Sequence, residues 1–111
     1  MKRIEKPWGY EIIWAQTERY VGKKLFIIQG ESLSRQYHEV KDETIYVIEG
    51  KLKLELGDPV ETTLGMGPGA SCHITPNTVH RMIALTDVTI CEVSTPELDD
   101  IVRLEDNYGR A

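Results

Sequence analysis

GESLSRQYHEVKDETIYVIEGKLKLEL, residues 30–56, carries the reading on which the fold turns. Its last six residues, Lys51 to Leu56, alternate strictly, with Leu52, Leu54 and Leu56 on one side and Lys51, Lys53 and Glu55 on the other. A period of two is a strand with one buried and one wet face. Ahead of it, Thr44 to Glu49 is a second strand, and Gly50 marks the turn between the two. Working outward, further strands are expected over Tyr10 to Trp14, Tyr20 to Gln29, Ser32 to His38, Val60 to Leu64, Ser71 to Thr75, Arg81 to Leu85 and Val88 to Val93. Turn signals such as Gly57-Asp58-Pro59 and Gly67-Pro68-Gly69 separate them. Valine, isoleucine and threonine together number 28 against four alanines, which favours pleated backbone over helix. Eight or nine short, closely spaced strands predict an all-β antiparallel sandwich or barrel. Beyond Pro96, acidic residues followed by Leu98, Ile101 and Val102 at helical offsets predict a short C-terminal helix or turn packed on that barrel.

The 111 residues leave room for one domain, 1–111, with its core barrel at about 20–93. Thirteen basic against 18 acidic residues, net charge −5, provide no basic field for nucleic acid or for an anionic membrane surface. No apolar run is long enough to span a bilayer, and the first residues lack the features of a signal peptide, so a cytoplasmic location is expected. Cys72 and Cys91 fit neither a CxxC pair nor a disulfide framework and are read as buried thiols.

The chemistry-bearing residues lie in two places. His38 and Glu43 fall in the opening stretch, and His80 follows the turn Pro76-Asn77. Two imidazoles and a carboxylate from different strands converge only inside a barrel, where they suit a divalent ion. On a strand residues two apart share a face, so Gln36, His38 and Val40 are expected to point the same way.

These stretches resemble the cupin superfamily, whose barrel is a double-stranded β-helix, or jelly roll. Its first motif, G(X)5HXH(X)3–4E(X)6G, is similar to the run through His38, Glu43 and Gly50. Its second, a glycine, a proline-containing turn and a histidine, is similar to Gly69, Pro76 and His80, with Asn77 and Thr78 as departures. Lys6-Pro7-Trp8-Gly9, Leu33-Ser34-Arg35-Gln36-Tyr37-His38 and the ending from Asp99 to Arg110 further resemble the type II mannose-6-phosphate isomerase module, so the likeness spans nearly the whole chain. The resemblance implies a metal held by His38, Glu43 and His80, with zinc expected first and manganese, iron, cobalt or nickel as alternatives. With His38-Glu39-Val40 where the pattern has HXH, a histidine ligand is missing at Val40. Gln36 is the expected replacement, since type I isomerases use a Gln-X-His pair, and weak metal binding is expected.

The implied reaction is aldose–ketose isomerisation of a phosphorylated hexose, mannose 6-phosphate to fructose 6-phosphate. Glu92 is read as the acid/base, because period two sets it among Val88 and Ile90. Arg103 and Arg110 in the tail are read as phosphate contacts, Arg103 first, or else as structural salt bridges to Glu105 or Asp106, with Arg35, Arg81 and Lys24 as weaker anion-binding candidates. Two other functions remain open. A non-catalytic cupin binding a sugar or small metabolite is favoured by Val40, and a metal-dependent oxygenase would use the same two histidines and carboxylate. His73 is expected as a surface or satisfied histidine, Tyr46 as core, and Trp8 and Trp14 as covers of a barrel end. A homodimer is expected, and the partner otherwise is a small molecule.

Overall fold

The computed structural model describes residues 1–111 and contains eleven strands and no helix. They are β1 (Lys2–Lys6), β2 (Gly9–Gln16), β3 (Val21–Ile27), β4 (Arg35–Tyr37), β5 (Glu43–Glu49), β6 (Leu52–Leu56), β7 (Thr62–Met66), β8 (Ser71–Ile74), β9 (His80–Ala84), β10 (Val88–Ser94) and β11 (Val102–Glu105). Two sheets face each other, one ordered β1-β2-β3-β10-β5-β8 and the other β11-β4-β9-β6-β7, and every pairing is antiparallel. This is the double-stranded β-helix that the sequence leads one to expect, closed well enough to leave few long free edges. No helix is long and apolar enough to cross a membrane.

Nine of the strands, β2 to β10, fall where the residue pattern puts them. β1 and β11 do not, and both are sheet edges. The stretch expected as a short helix or turn has a turn at Leu98–Asp99 and then strand β11, which pairs with β4 through Val102 opposite Tyr37 and Arg103 opposite Gln36. Pairing to an open edge satisfies backbone groups that a single helical turn would leave free, so it overrides the weak helical spacing.

The interior is divided along the barrel. One end is apolar: Ile27, Val47, Leu52, Leu54 and Ile90 are fully buried, with Met82, Ala84 and Val88 close behind. Gly50, at φ 88°, makes the tight β5–β6 connection there, and a Cβ at that position would lie 2.1 Å from the Asp87 carbonyl oxygen. The other end is polar. Gln36, His38, Lys41, Glu43, His80 and Glu92 all turn inward and are buried. Such a cluster costs stability unless it is internally paired, so a barrel that keeps it is read first for function.

Candidate functional site

Period two on β5 sets Glu43 on the inner face with Ile45 and Val47, and β9 brings in His80 with Met82 and Ala84. β4 contributes Gln36, whose register partner is His80. His38 follows one residue after β4 ends. The His38 and His80 Nε2 atoms lie 3.1 and 3.2 Å from the same oxygen of Glu43, Oε1. The potential ligand atoms of the three residues lie within 4.8 Å of one another.

The outer partners of the two rings decide what they can do. His38 Nδ1 is 2.6 Å from the Asp100 carbonyl oxygen, and His80 Nδ1 is 2.9 Å from that of Thr78. A carbonyl only accepts, so each Nδ1 carries a hydrogen and donates it, which leaves each Nε2 as the atom turned to the Glu43 carboxylate. His80 Nε2 is off the hydrogen-bond line to Glu43 despite the short distance and is a buried nitrogen without a partner. The two Nε2 atoms and the carboxylate oxygen converge on one point, where a protonated ring pairs with the carboxylate directly and a deprotonated Nε2 is a ligand for a cation. The backbone-anchored tautomers are also those that metal-ligating histidines adopt. The donor set therefore fits a divalent ion.

Val40, expected to share the face of Gln36 and His38, does not reach the site. It is 62% exposed, because the chain bends at Glu39–Val40 after β4. Counting from Gln36 explains this. Gly30, five residues, Gln36-Tyr37-His38, four residues, Glu43, six residues and Gly50 meet the motif spacing without a gap. The departure from two histidines is thus Gln36 in place of the first, and Val40 is no ligand position at all.

Sequence reasoning missed Lys41. Its ammonium is buried 3.5 Å from Glu43 Oε2 and 3.4 Å from Glu92 Oε2, so it bridges the two carboxylates. The available signal was parity, since Lys41 shares the phase of Glu43, Ile45 and Val47. Burial alone would lower the Lys41 amine, but the Glu92 and Glu43 charges outweigh it and the net shift is upward. For Glu43 burial acts upward, while His38, His80 and Lys41 together hold it well below the ordinary carboxylate range. Glu92 goes the other way: burial, joined by the neighbouring Glu43 charge, pushes it up to about 7 against the pull of Lys41.

The bend that carries Lys41 is held from the far end of the chain. The Asp100 carboxylate accepts the backbone N–H groups of Glu39, Val40 and Lys41 at 3.0, 2.7 and 2.8 Å, and these bonds hold its carboxyl down at about 2. One residue thus orients His38 through its carbonyl and fixes the loop before Glu43 through its side chain. Asn77, in the left-handed region at φ 64°, donates its N–H to the His38 carbonyl at 2.6 Å. Asp100→Ala removes the carboxylate that pins residues 39–41 but keeps the carbonyl that orients His38, so it is expected to weaken Zn²⁺ binding by no more than about 10-fold, the lower end for outer partners of a metal site, with the barrel intact. Isothermal titration beside a circular dichroism melt checks this.

In front of this cluster opens a cavity of about 290 Å³, reached by Gln36, His38, Lys41 and Glu92. Its walls carry six cationic side chains, Lys2, Lys6, Lys23, Lys41, Arg103 and Arg110, against three carboxylates, Glu11, Glu92 and Asp99. In a chain of net charge −5 that is a local inversion of sign. Several of the cations are already matched. Lys23 and Lys6 lie 3.3 and 3.6 Å from Glu11, and Arg110 forks onto both Asp106 oxygens. Arg103 is not, and its Nε is buried with no partner.

The other sequence candidates fall elsewhere. Arg81 is structural, bonding the Leu33 carbonyl, Glu105 and Asn107, while Arg35 pairs with Glu55 and Lys24 lies on the outside of β3. His73 is exposed and 2.6 Å from Asp42, as expected of a satisfied surface histidine. Tyr46 is not core but half-exposed on the outer face of β5, Trp8 is buried and lines the cavity, and Trp14 is half-exposed. Both cysteines are free and only partly buried.

Comparison with known proteins agrees with this geometry. The cupin domain family model matches residues 25–95. The chain belongs to the cupin family. Among curated proteins it is 32% identical, over 98% of its own length, to mannose-1-phosphate guanylyltransferase ManC of Salmonella typhimurium. It is 29% identical, again over 98% of its length, to xanthan biosynthesis protein XanB of Xanthomonas campestris. It spans only 23% and 24% of those two proteins, about a quarter of each. Among solved structures this cupin superposes on KdgF from Halomonas sp. with a TM-score of 0.77 at 20% identity, covering 89% of this chain and 91% of that one. It superposes on the polyketide cyclase RemF from Streptomyces resistomycificus with a TM-score of 0.76 at 21% identity, covering 86% and 70%. At those identities the two structures speak for the fold alone.

Proposed function

We propose that this cupin is a metal-dependent aldose–ketose isomerase acting on a phosphorylated hexose, with mannose 6-phosphate and fructose 6-phosphate as the pair. The observation that carries the reading is Glu92: a buried carboxyl raised to about 7, lining a cation-rich cavity beside the His38–Glu43–His80 cluster. His38, Glu43 and His80, with the Gln36 amide oxygen as fourth donor, would hold the ion. When bound, it supplies positive charge where the sugar carbonyl develops negative charge. Glu92, ionised in a good fraction of molecules near neutrality, takes the proton from C2 and returns it to C1; in between, the C2–H electron pair becomes the C1=C2 bond, the C1 carbonyl pair moves onto O1, and a proton passes from O2 to O1 so that C2 ends as the carbonyl. Lys41 holds the Glu92 carboxylate in place and limits the charge it must carry. Arg103 offers its unpartnered Nε to the phosphate.

Purified protein loaded in turn with Zn²⁺, Mn²⁺, Co²⁺ and Fe²⁺ is expected to convert mannose 6-phosphate, and His80→Ala to lose the activity. No turnover with any of these ions would overturn the proposal.

A second reading, a cupin that binds an anionic sugar without turning it over, is favoured by the Lys41 ammonium, which neutralises part of Glu43 without any ion. It predicts sugar-phosphate binding that is unchanged by metal and by Glu92→Gln.

A further inference from the structure

The barrel interior holds a second ionic pair, one that the proposed reaction leaves unused. Glu11 on β2 and Lys23 on β3 both turn inward, are 6% and 9% exposed, and line the cavity. Lys23 Nζ lies 3.3 Å from Glu11 Oε2, and Lys6 Nζ approaches the other oxygen at 3.6 Å. A buried ion pair is weak evidence for stability, because desolvating two charges offsets most of their attraction. Apolar side chains of similar volume would fill this part of the wall as well, as Ile13 and Leu25 do on the same two strands. The pair therefore calls for a reason other than stability.

Its place in the register supplies one. Away from the His38–Glu43–His80 cluster the two inner faces run in step. On the five-stranded sheet the row is His80, Gln36 and Arg103, each the register partner of the next. On the six-stranded sheet Glu92 is the register partner of Lys23, and Lys23 is that of Ile13, which sets Glu11 diagonally beside it. Side chains directly opposite one another on one face stand about 5 Å apart, and diagonal ones about 7–8 Å, within reach of long side chains. Lys23 and Glu11 thus continue the wall outward from Glu92, on the sheet that faces Arg103.

The chemistry of the pair suits hydroxyls rather than a charged group. Glu11 and Lys23 together carry no net charge, so they offer a phosphate nothing that the Arg103 guanidinium does not offer better. Each keeps hydrogen-bonding capacity. The ammonium has three N–H donors and spends one on Glu11, while the carboxylate has about four lone-pair sites and meets only the two lysines. A hydroxyl both donates and accepts, so two vicinal hydroxyls fit an ammonium and a carboxylate held side by side.

From this placement we propose that Glu11 and Lys23 form a subsite for vicinal hydroxyls, which reads C3 and C4 of the sugar and sets its reacting carbons against Glu92. Glu11 accepts, Lys23 donates, and neither takes part in proton transfer. The inference rests on the sugar-phosphate reading above but not on turnover.

Isothermal titration of the whole chain tests this with 1,5-anhydromannitol 6-phosphate, which cannot open to an aldehyde, and with its 3-deoxy and 4-deoxy forms. The wild type is expected to bind at least one deoxy form about 10- to 100-fold more weakly, the effect of leaving a buried charged group without its hydrogen bond. Glu11→Leu combined with Lys23→Met is expected to compress that ratio below about 3-fold, with a urea midpoint equal to or above that of the wild type. Glu11→Gln, a milder second variant that keeps the shape and one acceptor, is expected to compress the ratio in part. Arg103→Ala is expected to weaken all three ligands alike and to keep the ratio. Equal binding of the three by the wild type, or an unchanged ratio in both the double variant and Glu11→Gln, overturns the proposal. No binding of any of them overturns the sugar-phosphate reading as well. Discrimination that the double variant abolishes, without turnover on any metal, would overturn isomerisation and leave the subsite standing.

Discussion

Lys41→Met is expected to lower the stability of the barrel by about 3–5 kcal/mol at pH 8, the usual cost of removing one member of a buried ionic cluster. Methionine has nearly the length of lysine, so packing is kept and charge is the main variable. At pH 8 the variant must either bury Glu92 as a carboxylate with its counter-ion gone or take up a proton against the solvent pH, and both cost stability. Glu43 still faces His38 and His80, so the larger part of the loss falls on Glu92. The deficit shrinks at lower pH, and the sign follows from the direction of the shift. Glu92 binds its proton more tightly in the folded chain than in the unfolded one, and without Lys41 that difference grows, so stability falls more steeply as pH rises. At pH 5 Glu92 is protonated in both proteins and the remaining loss is the Lys41–Glu43 pair. Urea titrations of wild type and Lys41→Met at the two pH values check this. An equal loss at both would mean that Lys41 acts through packing rather than through Glu92.

Much of this site was legible in the sequence because it rests on short-range periodicity. His38, Glu43 and His80 were found from strand parity and motif spacing, and Glu92 from its place between apolar neighbours. The mistakes share a physical origin. Val40 was placed on the inner face by continuing the strand period through Glu39, but the chain bends there, and the Asp100 carboxylate that pins the bend is 60 residues away from Val40. No local pattern reports such a contact. Lys41 carried the correct parity and went unread because lysine is so rarely buried that its phase draws no attention. The edge strands were illegible for a different reason. β1 reads Lys-Arg-Ile-Glu-Lys, and its strand state comes from pairing with β2 and from the inward placing of Lys2, Ile4 and Lys6 along the cavity. The face of the six-stranded sheet could not be judged either, because an exposed apolar position looks like a core position until the register places Tyr46 outside.

Glu92→Gln is expected to reduce turnover of the sugar phosphate roughly 10²- to 10⁴-fold, the range that general acid–base catalysis supplies, while leaving ligand and metal binding within a few-fold of wild type. Glutamine keeps the shape and the hydrogen bond to Lys41 but can neither take nor return a proton. The same substitution should act oppositely on stability, and this separates a functional carboxyl from a structural one. In wild type the Glu92 carboxyl is raised from 4.5 to about 7, so ionising it inside the barrel is unfavourable by about 3 kcal/mol, at 1.36 kcal/mol per unit of pKa. Folding therefore takes up a proton between those values. The stabilisation that comes from the protonated form is fully present below pH 4.5 and is lost as the pH rises towards 7. The lowered Glu43 carboxyl contributes in the other direction, its stabilisation being present above pH 4.5 and lost below it. Wild-type stability should then peak near pH 5 and decline towards pH 8, whereas Glu92→Gln should show little decline over that span, because the group that titrates there is gone. Denaturant titrations at half-unit pH steps, run beside the turnover assay, provide both readouts. A variant that loses activity and flattens the stability profile identifies Glu92 as a proton carrier kept at the expense of stability. Full activity with a flattened profile would leave Glu92 as a charge partner of Lys41 and move the proton transfer to another group.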